Sequence, residues 1–319
     1  MLKIIEKKKR EKAIREATGN LGFIIETEDK IICYIKKENC HYERYPCYQK
    51  EYVINLGDYK ERYKELVEEY GLDKEIVYVL DGLTFRGNEA IRIYGERNAD
   101  LEIKNCEFGG ELHIDYFRKC IIKNTTIRNR EERGVYIDSM DLEINGVNIG
   151  ENKNLADNVR IYADNSIKII NSKIIANDCF IGFCDTNQIN IENSTFEVKK
   201  DIEIESTKLY TKSSSIISSI STWISTKDFN DLSGLIINAL YIYTNREKFV
   251  NENSKTPICL KSLTNLDEKR KILLRQLKEF NDKIIKRREE KLSLVESNYN
   301  GQSVGKVLRR EKNNSSSKR

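Results

Sequence analysis

Five acids recur at similar places along the middle of the chain: Asp115, Asp138, Asp164, Asp185 and Glu205. Each lies one to three residues past a short alternating apolar run, such as Leu112-His-Ile114 or Val135-Tyr-Ile137. Carboxylates brought side by side repel one another and push their pKa values apart, which is how acid–base pairs are made. Of these, Asp115, Asp138 and Asp185 are the candidate catalytic acids. The competing reading is a solvated column of turn residues, since Asp favours turns on its own account. His113 stands two residues before Asp115 and could give or take a proton. Tyr94, Tyr116, Tyr136 and Tyr162 lie on or just after the same runs. With His113 they would form a polar–aromatic binding face, a mixture found in sugar sites and in protein interfaces alike.

A metal centre is not expected. Cys33, Cys40, His41 and Cys47 fall within fifteen residues, but their spacing fits no standard zinc knuckle, and Cys33 belongs to an apolar strand. No cofactor motif stands in the chain. The eight cysteines show no paired spacing, so free thiols in a reducing compartment are the expectation.

These residues need a scaffold that stacks them, and the sequence carries one. The phrase Ile-x-Asn-x-x-Ile/Phe appears at Ile103–Phe108, Ile122–Ile127, Ile169–Ile174 and Ile191–Phe196. Aligned on its first position, the register runs Leu80, Ile103, Ile122, Ile144, Ile169, Ile191, Thr211 and Ile237. The spacings are 23, 19, 22, 25, 22, 20 and 26 residues, a period that means stacked units. Two places along stand Gly82, Asn105, Asn124, Gly146, Asn171, Asn193, Ser213 and Ala239. Six of these eight are Asn or Gly, which tolerate a left-handed backbone, so each unit bends there. Stacked Asn side chains could bond along the stack as a ladder.

Upstream of each bend lie Ile91–Ile93, Leu112–Ile114, Val135–Ile137, Val159–Ile161, Ile181–Phe183 and Ile202–Ile204. Alternation of this kind marks strands with one face inward. After the bend comes a third strand holding Phe108, Ile127, Ile149, Ile174 and Phe196. Three short β-branched strands per unit, with no helical stretch, describe a β coil rather than a leucine-rich repeat. Eight coils at roughly 4.8 Å make a rod of about 40 Å. Acids two coils apart would then stand about 9.6 Å apart, near the upper end of the range for inverting glycoside hydrolysis.

The pattern resembles the right-handed parallel β-helix, or pectin-lyase-like, superfamily over about residues 76–245. The resemblance rests on the coil length and on Asn105, Asn124, Asn171 and Asn193 at the bend. It implies an all-β solenoid, a right-handed parallel β-helix of about eight coils, and it leaves the activity open because unrelated functions share the scaffold. The superfamily's polygalacturonase type carries Asn-Thr-Asp, Asp-Asp, Gly-His-Gly and Arg-Ile-Lys segments, and none stands here. Gly182-Phe-Cys-Asp185-Thr-Asn is no match, and Arg160 has no lyase motif around it.

The flanks differ from the middle. Residues 1–75 read as an N-terminal α/β cap: a basic helix over 3–17, a strand pair Leu21–Glu26 and Lys30–Lys36, and a helix over 58–70 suited to cover the open end. The parallel β-helix spans 76–250. A C-terminal helical arm spans 251–296, its apolar seam over 266–291 able to cap the stack or join chains into a homo-oligomer. Residues 297–319 read as a disordered basic tail. Residues 1–20 carry net +4 and 261–319 net +9, leaving 21–260 at −9. Nucleic acid is not expected as a partner, because no recognisable module accompanies the basic arm. No run reaches eighteen apolar residues and no signal peptide opens the chain, so residence is expected in the cytoplasm or, after lysis, in a phage particle.

The expectation that follows is a non-enzymatic β-helix protein presenting a flat polar–aromatic face to a protein or glycan partner. The alternative is a carbohydrate-active enzyme, a hydrolase or lyase, using acids on adjacent coils.

Overall fold

The structure, a computed structural model of the 319-residue chain, describes residues 2–44, 50–56, 74–86, 89–128, 134–151, 155–183, 185–218, 220–231, 235–238, 241–244, 247–250 and 258–259, with 64, 68 and 69. The chain divides into two units, Met1–Thr264 and Asn265–Arg319. The second unit, with the C-terminal helix expected at 266–291 and the tail, lies outside the described residues. So does nearly all of the helix expected over 58–70.

Residues of the first unit form an all-β parallel solenoid of about six turns, fewer than the eight expected. The strand register follows the repeat. Leu80 pairs with Ile103, Ile103 with Ile122, Ile122 with Ile144, Ile144 with Ile169, Ile169 with Ile191, and Ile191 with Thr211, all in parallel. Ile237 breaks the series. It pairs instead with Ile216, in the column that runs Phe85, Phe108, Ile127, Ile149, Ile174, Phe196 and Ile216. The expected eighth coil is thus mis-registered, while the parallel pairing itself continues through Ser221–Asp231 to Tyr241–Thr244.

Each bend has the backbone its residue type predicts. Asn105, Asn124, Asn171, Asn193 and Ser213 have φ of 54°, 48°, 49°, 48° and 49°, and Gly82 and Gly146 both have 65°. Asn193 Nδ2 donates to Asn171 Oδ1 at 3.3 Å, Asn171 Nδ2 to Asn145 Oδ1 at 3.5 Å, and Asn105 Nδ2 to Asp81 Oδ1 at 3.0 Å. The residue after each bend points inward. Thr125, Ser172, Ser194 and Ser214 are buried there and make a second ladder. Val147 N–H donates to Ser172 Oγ, Ser172 N–H to Ser194 Oγ, and Ser194 N–H to Ser214 Oγ, each at 3.2 Å. A corner that cannot use ordinary strand pairing is satisfied by these hydroxyls.

The other corner is built differently. The upstream run and the Ile-containing run are not separate strands but one bent strand, as in Leu112–Lys123, Val135–Asn145 and Asp201–Lys212. The bend is a register shift, between Ile114 and Phe117 in the first case, with Tyr116 at φ 66°. Inside, a continuous core of Ile, Leu, Val and Phe fills the coils, and Phe85 stacks on Phe108 at 5.5 Å.

The ends of the stack carry antiparallel strands. Gly22–Glu26 pairs with Lys30–Ile35, which itself pairs in parallel with Glu75–Asp81. At the far end Tyr241–Thr244 pairs with Glu247–Val250, and Leu235–Asn238 with Ile258–Cys259. Helix Leu2–Ala17 buries Ile14 and Ala17 against Ile31, and Arg10 and Lys74 both hydrogen-bond Glu26. Such ends shield strand edges that would otherwise recruit other chains. Among the described residues no helix is long and apolar enough to cross a membrane.

Candidate functional site: an aromatic and carboxyl face

One sheet of the solenoid carries the chemistry named from sequence. Its strands include Ala90–Tyr94 and the first halves of Leu112–Lys123, Val135–Asn145 and Ala156–Ile170, stacked in that order. Alternate residues point inward as Ile93, Ile114, Ile137 and Ile161, all fully buried. Period-two alternation therefore turns Tyr94, His113, Tyr136 and Tyr162 outward, with Asp115 and Asp138 beside them.

The rings form a ladder along the stack. Tyr94 lies 5.5 Å from His113, His113 4.6 Å from Tyr136, and Tyr136 5.6 Å from Tyr162, centroid to centroid. The ladder ends in a stacked pair, Tyr162 and Phe183, 3.9 Å apart and inclined by 16°. Tyr162 is consequently buried at 6% exposure, so the ring expected to meet a partner is covered by Phe183, which is itself 47% exposed. Tyr116, at the bulge, is 52% exposed and sits beside the ladder rather than in it.

Asp115 and Asp138 are brought together on successive strands. Their carboxyls are within hydrogen-bonding reach, and Asp138 is pushed up to about 6, first by burial and then by the charges of Asp115 and Asp164. Arg97 opposes this shift. Its guanidinium, which comes from the loop after Tyr94, meets Asp164 at 3.2 Å. His113 Nε2 stands 3.7 Å from Asp115 Oδ2, beyond a hydrogen bond. His113 Nε2 and Asp115 Oδ1 are both shielded from solvent with no hydrogen-bond partner among the described residues. Unsatisfied buried polar atoms are rare in native structures, and two in one cluster mark the place as unusual. Tyr136 is held protonated, its pKa raised to about 12 by burial and by Asp138 and Asp115.

Asp185 does not join this group. The apolar run expected at Ile181–Phe183 sits two residues earlier: Cys179 and Ile181 align with Val159 and Ile161. Gly182, at φ 80°, then ends the strand, and Asp185 is exposed in the turn that follows. Phe180, outward in either register, thereby comes into line with Arg160 and Glu203. The sequence pattern alone assigns neither Phe180 nor Phe183 to the face. Their signal was present in Gly182, a strand-ending residue in the middle of the supposed run. Glu205 stands on the outer side of Asp201–Lys212 next to Glu203, away from the Asp115–Asp138 pair.

The backbone of His41 lies in strand His41–Arg44, and Cys47 is outside the described residues. Cys33, Cys40, Cys106, Cys120 and Cys179 are buried free thiols whose pKa values burial raises, to about 11 for the first three. Thiols of that kind are packing residues, poor nucleophiles and poor ligands. The chain matches no protein-family model, no curated protein and no solved structure.

Proposed function

We propose that this protein is a binding module for a chain-like glycan, which lies along the rod over the ring ladder. The observation that carries the reading is the unbroken run of rings from Tyr94 through His113, Tyr136 and Tyr162 to Phe183. Its repeat matches the stack, and a linear polymer meets such a surface many times over. Asp115 and Asp138 supply carboxyl groups that accept hydrogen bonds from hydroxyls alongside the rings. The buried free thiols favour a reducing compartment, the cytoplasm.

The test is titration of soluble oligosaccharides of increasing length, followed by calorimetry. Affinity should rise with length. It should fall about tenfold or more in Phe183→Ala and Tyr136→Ala, the scale of losing one stacking anchor. Binding unchanged in both variants, or capture of a protein by this face in preference to any glycan, overturns the reading.

One observation favours a second reading, hydrolysis of the bound chain. An Asp held near 6, as Asp138 is, can act as a general acid at neutral pH. Against it, Asp115 and Asp138 are in hydrogen-bonding reach, closer than the roughly 5–5.5 Å of a retaining pair or 6.5–9.5 Å of an inverting pair. A hydrolysis screen with Asp138→Asn as control separates the two: turnover lost in the variant establishes the enzyme.

A further inference from the structure

The face that bears the ladder continues into a recess of about 450 Å³ lined by Arg160, Phe180, Asp178, Asp201, Glu203 and Trp223, among others. Glu203 is central in it. Its strand position pairs with Phe180 on one side and with Trp223 on the other. With rungs roughly 4.8 Å apart, the two aromatic residues are about 10 Å apart and the carboxylate lies on the rung between them.

The other charged groups of the recess are engaged. Asp178 takes the Lys200 ammonium at 3.2 Å, and Asp201 accepts from the Ser221 hydroxyl, which accepts in turn from Trp223 Nε1 at 2.8 Å. Arg160 donates to Asn158 Oδ1 at 3.3 Å and is engaged with Tyr162. Glu203 has no hydrogen bond or ion pair with any of the described residues. It is half-buried, and burial, with Glu205 nearby, raises its pKa.

A partly desolvated carboxylate favours a cation, and aromatic neighbours favour one that is weakly hydrated and organic. A hard metal ion would draw on several free oxygens and gain nothing from rings. An anion would meet three carboxylates against the single Arg160 guanidinium. We propose that this recess binds an organic ammonium group, held on the Glu203 carboxylate between Phe180 and Trp223. The inference does not depend on what occupies the ladder. The ammonium can belong to a small amine or to an amino sugar in a chain.

Trp223 is the sole tryptophan of the chain, so tryptophan fluorescence reads this recess alone. The full-length protein is titrated with tetramethylammonium chloride, with glucosamine oligosaccharides and with their N-acetylated forms, against sodium chloride and calcium chloride at equal ionic strength. A saturable change with an ammonium compound, weakened about tenfold or more in Glu203→Gln, is the expected result. Preference for the glucosamine chain over both its acetylated form and tetramethylammonium identifies a sugar as the carrier; preference for tetramethylammonium identifies a small amine. No saturable change beyond the sodium control overturns the proposal. So does equal affinity in a Glu203→Gln protein that melts like the native one, or calcium producing the larger effect. Because Tyr136→Ala lies outside the recess, loss of oligosaccharide binding there with ammonium binding retained would tell failure of one site from failure of the other.

Discussion

The carboxyl of Asp138 neighbours that of Asp115 on the next rung of the stack, and each charge bears on the other. Burial and this neighbour hold Asp138 at about 6 against an ordinary value of 3.8. The sign follows from the direction of the shift. A group whose pKa is higher folded than unfolded stabilises the fold fully below its unfolded value, and that contribution is lost as pH rises through the folded value. Native protein should therefore lose stability between 3.8 and about 6. Asp138→Asn, which stays neutral, should melt higher than native protein above that window and equal to it below. The gap should be about 1–2 kcal/mol after screening. Melting curves across the window check this; a gap that is constant with pH would show the pair does not titrate as described.

Asn171 combines two roles at one corner, a φ of 49° and amide bonds with Asn145 and Asn193. Asn171→Ala should cost about 1–2 kcal/mol for the left-handed backbone, plus the lost amide bonds. Asn171→Gly keeps the backbone and loses only the bonds, so it should recover most of the loss. Denaturant unfolding of both variants separates the two contributions.

Thr211 occupies the column otherwise filled by Leu80, Ile103, Ile122, Ile144, Ile169 and Ile191. It is 2% exposed, and its hydroxyl has no partner among the described residues. Thr211→Val removes an unpaired polar atom at nearly constant volume. It should stabilise by about 1 kcal/mol, measurable as a higher denaturation midpoint with unchanged m.

Gly95 is crossed by the Phe117 ring: a Cβ there would stand 2.5 Å from Phe117 Cε1 and Cζ. Gly95→Ala should cost about 1–3 kcal/mol as an overpacking change. Phe117→Leu alone should also destabilise, since Phe117 is fully buried. Combined, the two should be less harmful than their sum, because the smaller side chain yields the space. A double-mutant cycle on stability measures that coupling.

The amino-acid order by itself determined the coil period, the Asn and Gly corners and the inward Ile columns. Each is a local property: left-handed tolerance belongs to a single residue, and alternation to its immediate neighbours. The hydroxyl ladder of Thr125, Ser172, Ser194 and Ser214 was written in the same place, directly after each corner, and is legible once the corner is known to turn that side chain inward. What only the tertiary structure decided is where one coil ends and the next is counted. A slip of two residues keeps the same side chains on the same face, so alternation cannot distinguish Cys179–Ile181 from Ile181–Phe183. That slip took Asp185 out of the acid column, and the left-handed Gly182 at the strand's end released Phe183 from the alternation and turned it onto the aromatic face beside Phe180. Ile237 belonged to a different column because Tyr210 pairs with Asp231, which leaves Ile237 several residues past the position that would continue the Thr211 series. Which acids meet, and which aromatic residues flank Glu203, depends on strand pairing between residues some twenty positions apart, and pairing across that distance is settled only when the stack closes.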